Sequence, residues 1–382
     1  MIGSSFGPAP DTTTRRTLGT AARLLSALKL DGPLVVGLGL LVLYGLIVLY
    51  SASGQKWEMV LRAVVRFGMG AAAMVALAHV RPQQLRNAAP WLYGVGIVLL
   101  IVVDIIGHIG KGAQRWLDLG FVSFQPSEIM KIAVPMLCAW YLHERPLPPS
   151  WSSLGVLAGI ILVPVGLVYF QPDLGTAVLI AIAGALLVIM AGLSVWIMAG
   201  AVAATGVGAW IAWKYLLHDY QRLRVLTFID PMTDPQGAGY HTLQSQIAIG
   251  SGGVFGKGWM HGSQSQLAYL PERHTDFIFA VIGEEFGLFG IIILLGLYGF
   301  VISRALYLAS QTQDTFARLL ASCLALTFFV YVFINAGMVS GILPVVGVPL
   351  PLVSYGGTSM VTLLAGFGIL MALYSHRKLV GS

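Results

Sequence analysis

Long runs of apolar residues alternate with polar connections along most of the chain. At roughly 20 residues per crossing, ten of these runs are long enough to span a membrane. They lie at about 34–52, 60–80, 88–107, 126–143, 154–170, 175–192, 194–214, 277–303, 317–339 and 359–375. Because backbone groups in hydrocarbon must be bonded within their own segment, each run is predicted to be a helix. The pattern predicts an all-α, polytopic integral membrane protein with about ten transmembrane helices.

Two connections are too long or too patterned to be simple turns. Residues 215–276, between the seventh and eighth runs, carry spaced aromatic and apolar residues, and loops of this length are typically functional when they are ordered. The 340–358 segment has three prolines between apolar residues, which indicates a re-entrant or surface-packed segment. We predict a tail over residues 1–30 and a single membrane domain over residues 31–382.

Composition and charge support a membrane location. Hydrophobic residues make up 57% of the 382 residues and charged residues only 10%, against about 25% charged in soluble domains. The net charge of +6 comes from basic residues between the apolar runs, which excludes a nucleic-acid patch and instead predicts orientation. Arg15, Arg16 and Arg23 place the tail in the cytoplasm. An even number of spans then places both termini in the cytoplasm and residues 215–276 outside.

With this topology, every even-numbered helix begins at the outer face. Unusual polar motifs lie at four of these starts: Gln125–Glu128, Gln171–Gly175, His274–Asp276 and Ser354–Thr358. Helix N-termini offer free N–H groups and the positive end of the helix dipole, so this face is a candidate anion site. Capping by Ser127, Asp173 and Thr275 is the structural alternative.

The fourth helix carries two charges inside its apolar run. Glu128 and Lys131 share one helix face at i,i+3, so they are predicted to pair. Facing lipid would cost about 2.5–3.5 kcal/mol for each charge near the membrane centre, so both should face the bundle interior. Either a substrate site or a structural ion pair would account for them.

Charges on two other helices invite the same alternatives. Glu58, Arg62 and Arg66 repeat at i,i+4 on the second helix. Glu284 and Glu285 follow one another on the eighth helix and point in different directions, so at most one of them is expected to line a shared cavity.

Asp276 is the candidate for acid–base chemistry. It lies where the long outer loop enters the eighth helix, beside Arg273 and His274. Partial desolvation at the membrane boundary raises the basicity of a carboxylate, whereas nearby cations and a helix N-terminus lower it, and the sequence leaves the balance open. A lone aspartate before a helix is typically a cap, but the basic neighbours favour a functional role.

A glycine-rich stretch imitates a nucleotide-binding loop without matching one. Residues 250–258 carry Ser251 and Gly258 where the Walker pattern requires glycine and Ser or Thr. Phe255 likewise stands where the dinucleotide pattern requires glycine. The stretch still has two open interpretations, which are tight turning and phosphate binding through backbone N–H groups and Lys257.

At these residues the chain resembles the SEDS family (shape, elongation, division and sporulation), in its RodA-like elongation branch. No departure from the family pattern is found at the matching motifs. These are Lys111–Leu117, Phe124–Lys131, Gln171–Thr176, Gly250–Trp259, Leu270–Phe277 and Gly341–Gly357.

The resemblance implies a ten-helix peptidoglycan glycosyltransferase of the bacterial inner membrane, with its site facing the periplasm. It implies lipid II as the substrate, and as partners a class B penicillin-binding transpeptidase and other membrane proteins of the elongation complex. It further implies that Asp276 is the essential carboxylate and that Glu128 and Lys131 lie in the same cavity. The alternatives are a lipid II flippase, a polymerase of septal division, and a non-catalytic scaffold.

For this activity, Asp276 is predicted to act as general base, to hold the acceptor, or to hold a divalent cation, Mg²⁺ or Mn²⁺, although no ligand cluster in the sequence argues for a metal. Four cations are candidates for neutralising the pyrophosphate leaving group: Arg115, Lys131, Lys257 and Arg273. The full set of predicted substrate-binding residues is Glu128, Lys131, Arg115, Lys111, Asp173, Lys257, Arg273 and His274.

Overall fold

The computed structural model describes residues 28–110, 113–118, 123–216, 222–223, 226–228, 230, 238–267, 269–270 and 272–375. Long helices carry the apolar runs. In chain order the helices are α1 (Gly32–Ala52), α2 (Trp57–Ala78), α3 (Pro82–Ile106), α4 (Ser127–Leu142), α5 (Trp151–Phe170), α6 (Leu174–Met190), α7 (Val195–Ile211), α8 (Ala238–Gly252), α9 (Ser263–Gln266), α10 (Ile278–Ser310), α11 (Thr315–Val339) and α12 (Thr358–Ser375). A π-helical turn, Ala212–Leu216, continues α7.

The prediction of an all-α, multi-pass membrane protein is confirmed. In the described parts of the chain, eight helices are long and apolar enough to cross a membrane: α1, α2, α3, α5, α7 with its π-helical turn, α10, α11 and α12. The apolar helix α6 is shorter, at 17 residues, and α4 has 16 residues. The count of ten spans therefore stays a prediction.

Three aspartates begin helices as N-caps. The side chain of Asp31 accepts from Leu34 N at 3.0 Å, and that of Asp314 accepts from Ala317 N at 3.0 Å. Asp31 also accepts two bonds from Arg304, at 2.9 and 2.7 Å, which join the start of α1 to the later part of α10. The third N-cap, Asp173 at α6, belongs to the candidate site.

The core of the bundle surrounds α11 and α12. Both helices are 61% buried in their most apolar windows, against 22–39% for α1, α2, α3 and α5. α12 packs mainly on α2, and α10 packs on α11, α8 and α1. The helices at the periphery therefore expose apolar side chains, as a lipid solvent allows.

A small sheet interrupts the helical pattern between α3 and α4. It consists of β1 (His108–Gly110), β2 (Ala113–Asp118) and β3 (Ser123–Phe124), paired antiparallel in the order β1-β2-β3. The register sets His108 opposite Trp116 and Leu117 opposite Phe124. This hairpin brings Arg115, on β2, back towards the start of α4.

The eighth apolar run forms a broken helix. α10 continues past the predicted end to Ser310, and Gly287 interrupts it with φ +64°. The glycine-rich segment after α8 fills the break, since Lys257 N and Gly258 N donate to the carbonyls of Glu284 and Glu285, each at 3.0 Å. Leu288 N and Phe289 N donate back to the carbonyls of residues 253 and 254, each at 3.0 Å. The backbone groups that the break exposes are thereby satisfied, as hydrocarbon surroundings require.

Candidate functional site

Asp173 joins the hairpin to the starts of α4 and α6. Its carboxylate accepts from Thr176 N at 3.2 Å, which is the capping bond of α6. Gln125 Nε2, just before α4, donates to Asp173 Oδ2 at 2.7 Å, and Arg115 Nη1 lies 3.5 Å from the same oxygen. Asp173 is therefore both a cap and the meeting point of three motifs, so the capping alternative and the site alternative are not exclusive.

The 340–357 segment covers this meeting point. A Cβ placed on Gly175 would lie 2.5 Å from Val346 O, so only glycine permits this approach of the segment to the start of α6. A Cβ on Gly357 would lie 3.9 Å from the ring of Trp116 on the hairpin. The segment is thus packed onto the ends of the helices, and the four polar motifs meet at one end of the bundle.

Glu128 and Lys131 form the predicted ion pair. Lys131 Nζ lies 2.7 Å from Glu128 Oε1, and both residues are buried. The ammonium group also lies 5.3 Å from the ring centre of Tyr331 on α11, an arrangement that favours a cation. Neither charge faces lipid, as predicted.

A cavity of about 40 Å³ opens beside this ion pair, between α4, α11 and α12. Apart from the pair, Thr327, Tyr331 and Thr362, its walls are apolar, with Leu324, Phe328, Leu363 and Phe367 among them. A smaller pocket shares Tyr331 and Leu363 with it and reaches Ser354 and Gly356 of the covering segment. The two pockets therefore lie side by side along Tyr331 and Leu363, with the charged pair in the wall of the larger one.

Asp276 lies in the turn that enters α10 and is half-buried. The N-cap position of α10 is occupied by Phe277, whose side chain makes no capping bond. A Cβ on Gly347 would lie 3.5 Å from Asp276 Oδ2, so the carboxylate faces the turn that Gly347 makes at φ +72°. Asp276 does not line the cavity beside Glu128 and Lys131.

The backbone around Asp276 is held from two sides. Asn335 Nδ2 on α11 donates to Asp276 O at 2.8 Å. Ser354 Oγ donates to Thr275 O at 2.5 Å, and Tyr355 N donates to His274 O at 2.8 Å. Three consecutive carbonyls of the predicted motif are thus bonded to other elements.

His274 and Arg66 meet at the ring of Tyr355. The His274 ring stands edge-on to Tyr355, with centroids 6.2 Å apart, and the Arg66 guanidinium lies 4.5 Å from the centre of the same ring. Arg66 Nη1 also donates to Gly356 O at 3.4 Å. Of the charges predicted on α2, Arg66 is the one that reaches the site, whereas Glu58 and Arg62 form an exposed pair at 3.7 Å.

Lys257 lies at the break of α10. Its amine donates to Glu284 Oε1 at 2.7 Å and to Ser263 Oγ at 2.9 Å. Glu284 is fully buried and accepts two further bonds from Gln264 N and Ser265 N. The charge of Lys257 is therefore balanced inside the loop and α10.

Arg273 lies close enough to Glu285, on α10, for the two charges to interact. Burial lowers the pKa of its guanidinium from the usual value, while the charge of Glu285 raises it. Glu285 is buried and accepts from Ser51 Oγ on α1 at 2.5 Å. Glu284 pairs with Lys257 and Glu285 with Ser51, although both also accept a bond from Ser265, and neither lines the cavity beside Lys131.

Lys111 lies outside the described residues. In the described part of the chain, no group of three or more His, Cys, Asp or Glu side chains is arranged to hold a metal ion.

Sequence reasoning missed Asn335 and Tyr331, which both lie within the ninth apolar run. Asn335 is fully buried and bonds to the backbone of Asp276. A polar amide inside a predicted membrane span is itself a functional signal, and it could have identified Asn335. Tyr331 has no such signal, because tyrosine is common at membrane interfaces.

Comparison with known families matches nearly the whole chain. Residues 32–379 match the FtsW, RodA and SpoVE family, described as cell cycle proteins. The chain is 52% identical over 351 residues to the peptidoglycan glycosyltransferase MrdB of Escherichia coli K12, covering 92% of this chain and 95% of that one. It is 36% identical over 366 residues to a probable peptidoglycan glycosyltransferase FtsW of Thiomicrospira cyclica, covering 92% and 93%.

Solved structures show the same fold. The rod shape determining protein RodA of Thermus thermophilus superposes with a TM-score of 0.70 at 30% identity, covering 91% of this chain and 97% of that one. A chain from a peptidoglycan synthase complex, in a study of how polymerisation and crosslinking are coordinated, superposes with a TM-score of 0.81 at 33% identity, covering 91% and 98%.

Proposed function

Because the chain belongs to the FtsW, RodA and SpoVE family, we infer that it is a peptidoglycan glycosyltransferase of the RodA-like elongation branch. It polymerises lipid II into glycan strands during cell elongation and so controls rod shape. The observation that carries this conclusion is 52% identity to a peptidoglycan glycosyltransferase over nearly the full length of both chains. The similarity to a rod shape determining protein, RodA of Thermus thermophilus, supports elongation over septal synthesis.

The reaction joins two lipid-linked sugars. A hydroxyl oxygen of the acceptor forms a bond to the anomeric carbon of the donor, and the bond from that carbon to the pyrophosphate oxygen breaks. Undecaprenyl pyrophosphate leaves with the bonding electrons, and the hydroxyl proton goes to a base. Asp276 is that base, because it is a half-buried carboxylate on a fixed turn, beside His274 and Arg273.

The leaving pyrophosphate needs cations that are not already neutralised. Lys131 and Lys257 are each within 2.7 Å of a buried carboxylate, so their charges are largely balanced. Arg115 and Arg273 are only partly compensated and can present planar, two-pronged donors to phosphate oxygens. We assign the pyrophosphate to these two arginines, with Asp173 orienting Arg115.

The cavity beside Glu128 and Lys131 has mostly apolar walls, which suits contact with the lipid part of the substrate. Its one charged wall, Glu128 with Lys131, gives a polar group near the apolar surface that a polyprenyl chain would cover. Glu128 and Lys131 are therefore proposed to bind substrate where the lipid meets its polar head.

The protein is proposed to work in the inner membrane, with both termini in the cytoplasm and the site facing the periplasm. The basic tail and the even number of predicted spans support this orientation. A class B penicillin-binding transpeptidase is the proposed partner. Its support is the similarity to a chain solved in a peptidoglycan synthase complex, where polymerisation and crosslinking are coordinated.

The deciding experiment gives purified lipid II to the purified protein in complex with its transpeptidase, and separates the glycan products by length. Polymer that forms while the transpeptidase active site is blocked supports the proposal. If the complex formed no polymer but moved labelled lipid II across vesicle membranes, the flippase alternative would replace it.

A further inference from the structure

We propose that Asn335 is a positioning residue, which holds the backbone of Asp276 and the turn that faces its carboxylate in one fixed arrangement. This inference rests on the proposed function, because it assigns Asn335 a part in the action of Asp276.

The carbonyls of residues 274–276 lie before the N-cap of α10, where a chain has no regular helical donors. Buried backbone carbonyls nevertheless need partners. The structure supplies one donor for each carbonyl, from Tyr355, Ser354 and Asn335 in turn. The donor for Asp276 itself comes from α11, which with α12 forms the core of the bundle, and not from the covering segment.

Asn335 makes two bonds with one group. Its Nδ2 donates to Asp276 O at 2.8 Å and to Val348 O at 2.7 Å. Both partners are carbonyls, so the position requires a group with two protons to donate, and a side-chain amide has them. Val348 follows Gly347, whose turn faces the Asp276 carboxylate. One buried amide therefore fixes both the backbone of Asp276 and the turn at Gly347 that the Asp276 carboxylate faces.

Such a fixed arrangement matters for a base more than for binding. A displacement of about 1 Å at a reacting group costs about 10²-fold in rate, because the proton acceptor must lie within hydrogen-bond reach of the hydroxyl. The lipid and pyrophosphate contacts proposed above involve other residues. Loss of Asn335 should therefore lower kcat and leave KM for lipid II nearly unchanged.

The test uses Asn335→Leu, which removes both donors at similar size, in the purified complex with its transpeptidase. We expect kcat to fall about 10²-fold, with KM within about threefold of wild type. Ser354→Ala removes the bond to Thr275 O and the bond that Ser354 Oγ accepts from Leu350 N at 2.9 Å. It should shift kcat in the same direction, and it decides the question if Asn335→Leu does not accumulate. In the Asp276→Asn background neither substitution should lower the residual rate further.

Ser245→Ala is the matched control. Ser245, on α8, is fully buried, and its hydroxyl lies 2.8 Å from both Thr242 O and Val339 O, the latter near the end of α11, without reaching Asp276. This control should lower the melting temperature while kcat is kept. A kcat of Asn335→Leu or Ser354→Ala no lower than that of Ser245→Ala, or a rise in KM alone, would overturn the proposal. Wild-type protein without any polymer would instead refute the proposed function.

Discussion

Replacing Asp276 with Asn tests whether Asp276 acts as a general base or has only a structural role. Asparagine keeps the size of the side chain and its oxygen acceptor, but it cannot take a proton at neutral pH. Two features of the turn at Asp276 do not depend on its carboxylate. The bond from Asn335 reaches the backbone carbonyl of Asp276, and the N-cap position belongs to Phe277. If Asp276 were a cap, asparagine would be an equally good one, and little would change.

The expected loss follows from the role. General base catalysis contributes about 10²–10⁴-fold, so the polymerisation rate should fall by that factor, which corresponds to about 3–5 kcal/mol in the activation free energy. Binding of lipid II and the amount of protein in the membrane should be retained, because the proposed contacts of lipid and pyrophosphate lie on α4, the hairpin and Arg273.

The assay measures initial rates of glycan formation from lipid II by the partner-bound protein, wild type against Asp276→Asn. Membrane levels, melting temperature and lipid II affinity are measured on the same preparations. Near-normal polymer from the asparagine variant would remove Asp276 from the mechanism. A large loss of melting temperature in parallel with the rate would show that its role is structural.

Three further predictions concern the ion pair, the loop and the topology. Glu128→Ala or Lys131→Ala should each destabilise the protein by about 3–5 kcal/mol, measured by melting temperature, because the remaining charge is buried and unpaired. The double substitution Glu128→Gln with Lys131→Met should recover most stability without polymerisation, whereas recovery of both would leave the pair a structural role alone. Lys257→Met should lower the melting temperature and leave KM for lipid II unchanged, since its amine is bonded to Glu284; a raised KM at normal stability would return it to the pyrophosphate site. A tag at the C-terminus should react only after the membrane is permeabilised, and reaction in intact cells would contradict the even number of spans.

Helices were the most predictable part of the fold, because a lipid solvent imposes one rule on every segment. The interior location of Glu128 and Lys131 also followed from the lipid solvent, because a charged side chain that faces lipid is costly whichever helices pack around it. Strands β1 to β3 were not predicted, because a short hairpin outside the membrane has neither a long apolar run nor a fixed periodicity. The approach of four motifs to one end followed from topology alone, whereas the bonds of Asp173 to Gln125 and Arg115 depend on how the hairpin folds back.

The role of Lys257 shows why a motif alone cannot assign a cation. In the sequence, Lys257 stands among glycines and resembles a phosphate ligand, while Glu284 lies 27 residues away in an apolar run. The structure joins them because α10 breaks at Gly287, which leaves carbonyls and N–H groups without helical partners. The glycine-rich segment satisfies these groups, and a Cβ on Gly256 would lie only 2.2 Å from Glu285 O, so glycine is required there for the packing.

The break in α10 therefore connects the long loop to the site. The segment that ends α8 is bonded into the helix, and the chain then returns through α9 to the turn at Asp276, where α10 begins. Both ends of the segment between α8 and α10 are attached to α10, one at residues 284–289 and the other at the start of the helix. Because the loop is bonded to this helix at two points, the position of Asp276 depends on the folding of the loop as well as on Asn335. An apolar run and a polar loop, which the sequence presents as separate elements, thus form a single structural unit around the proposed base.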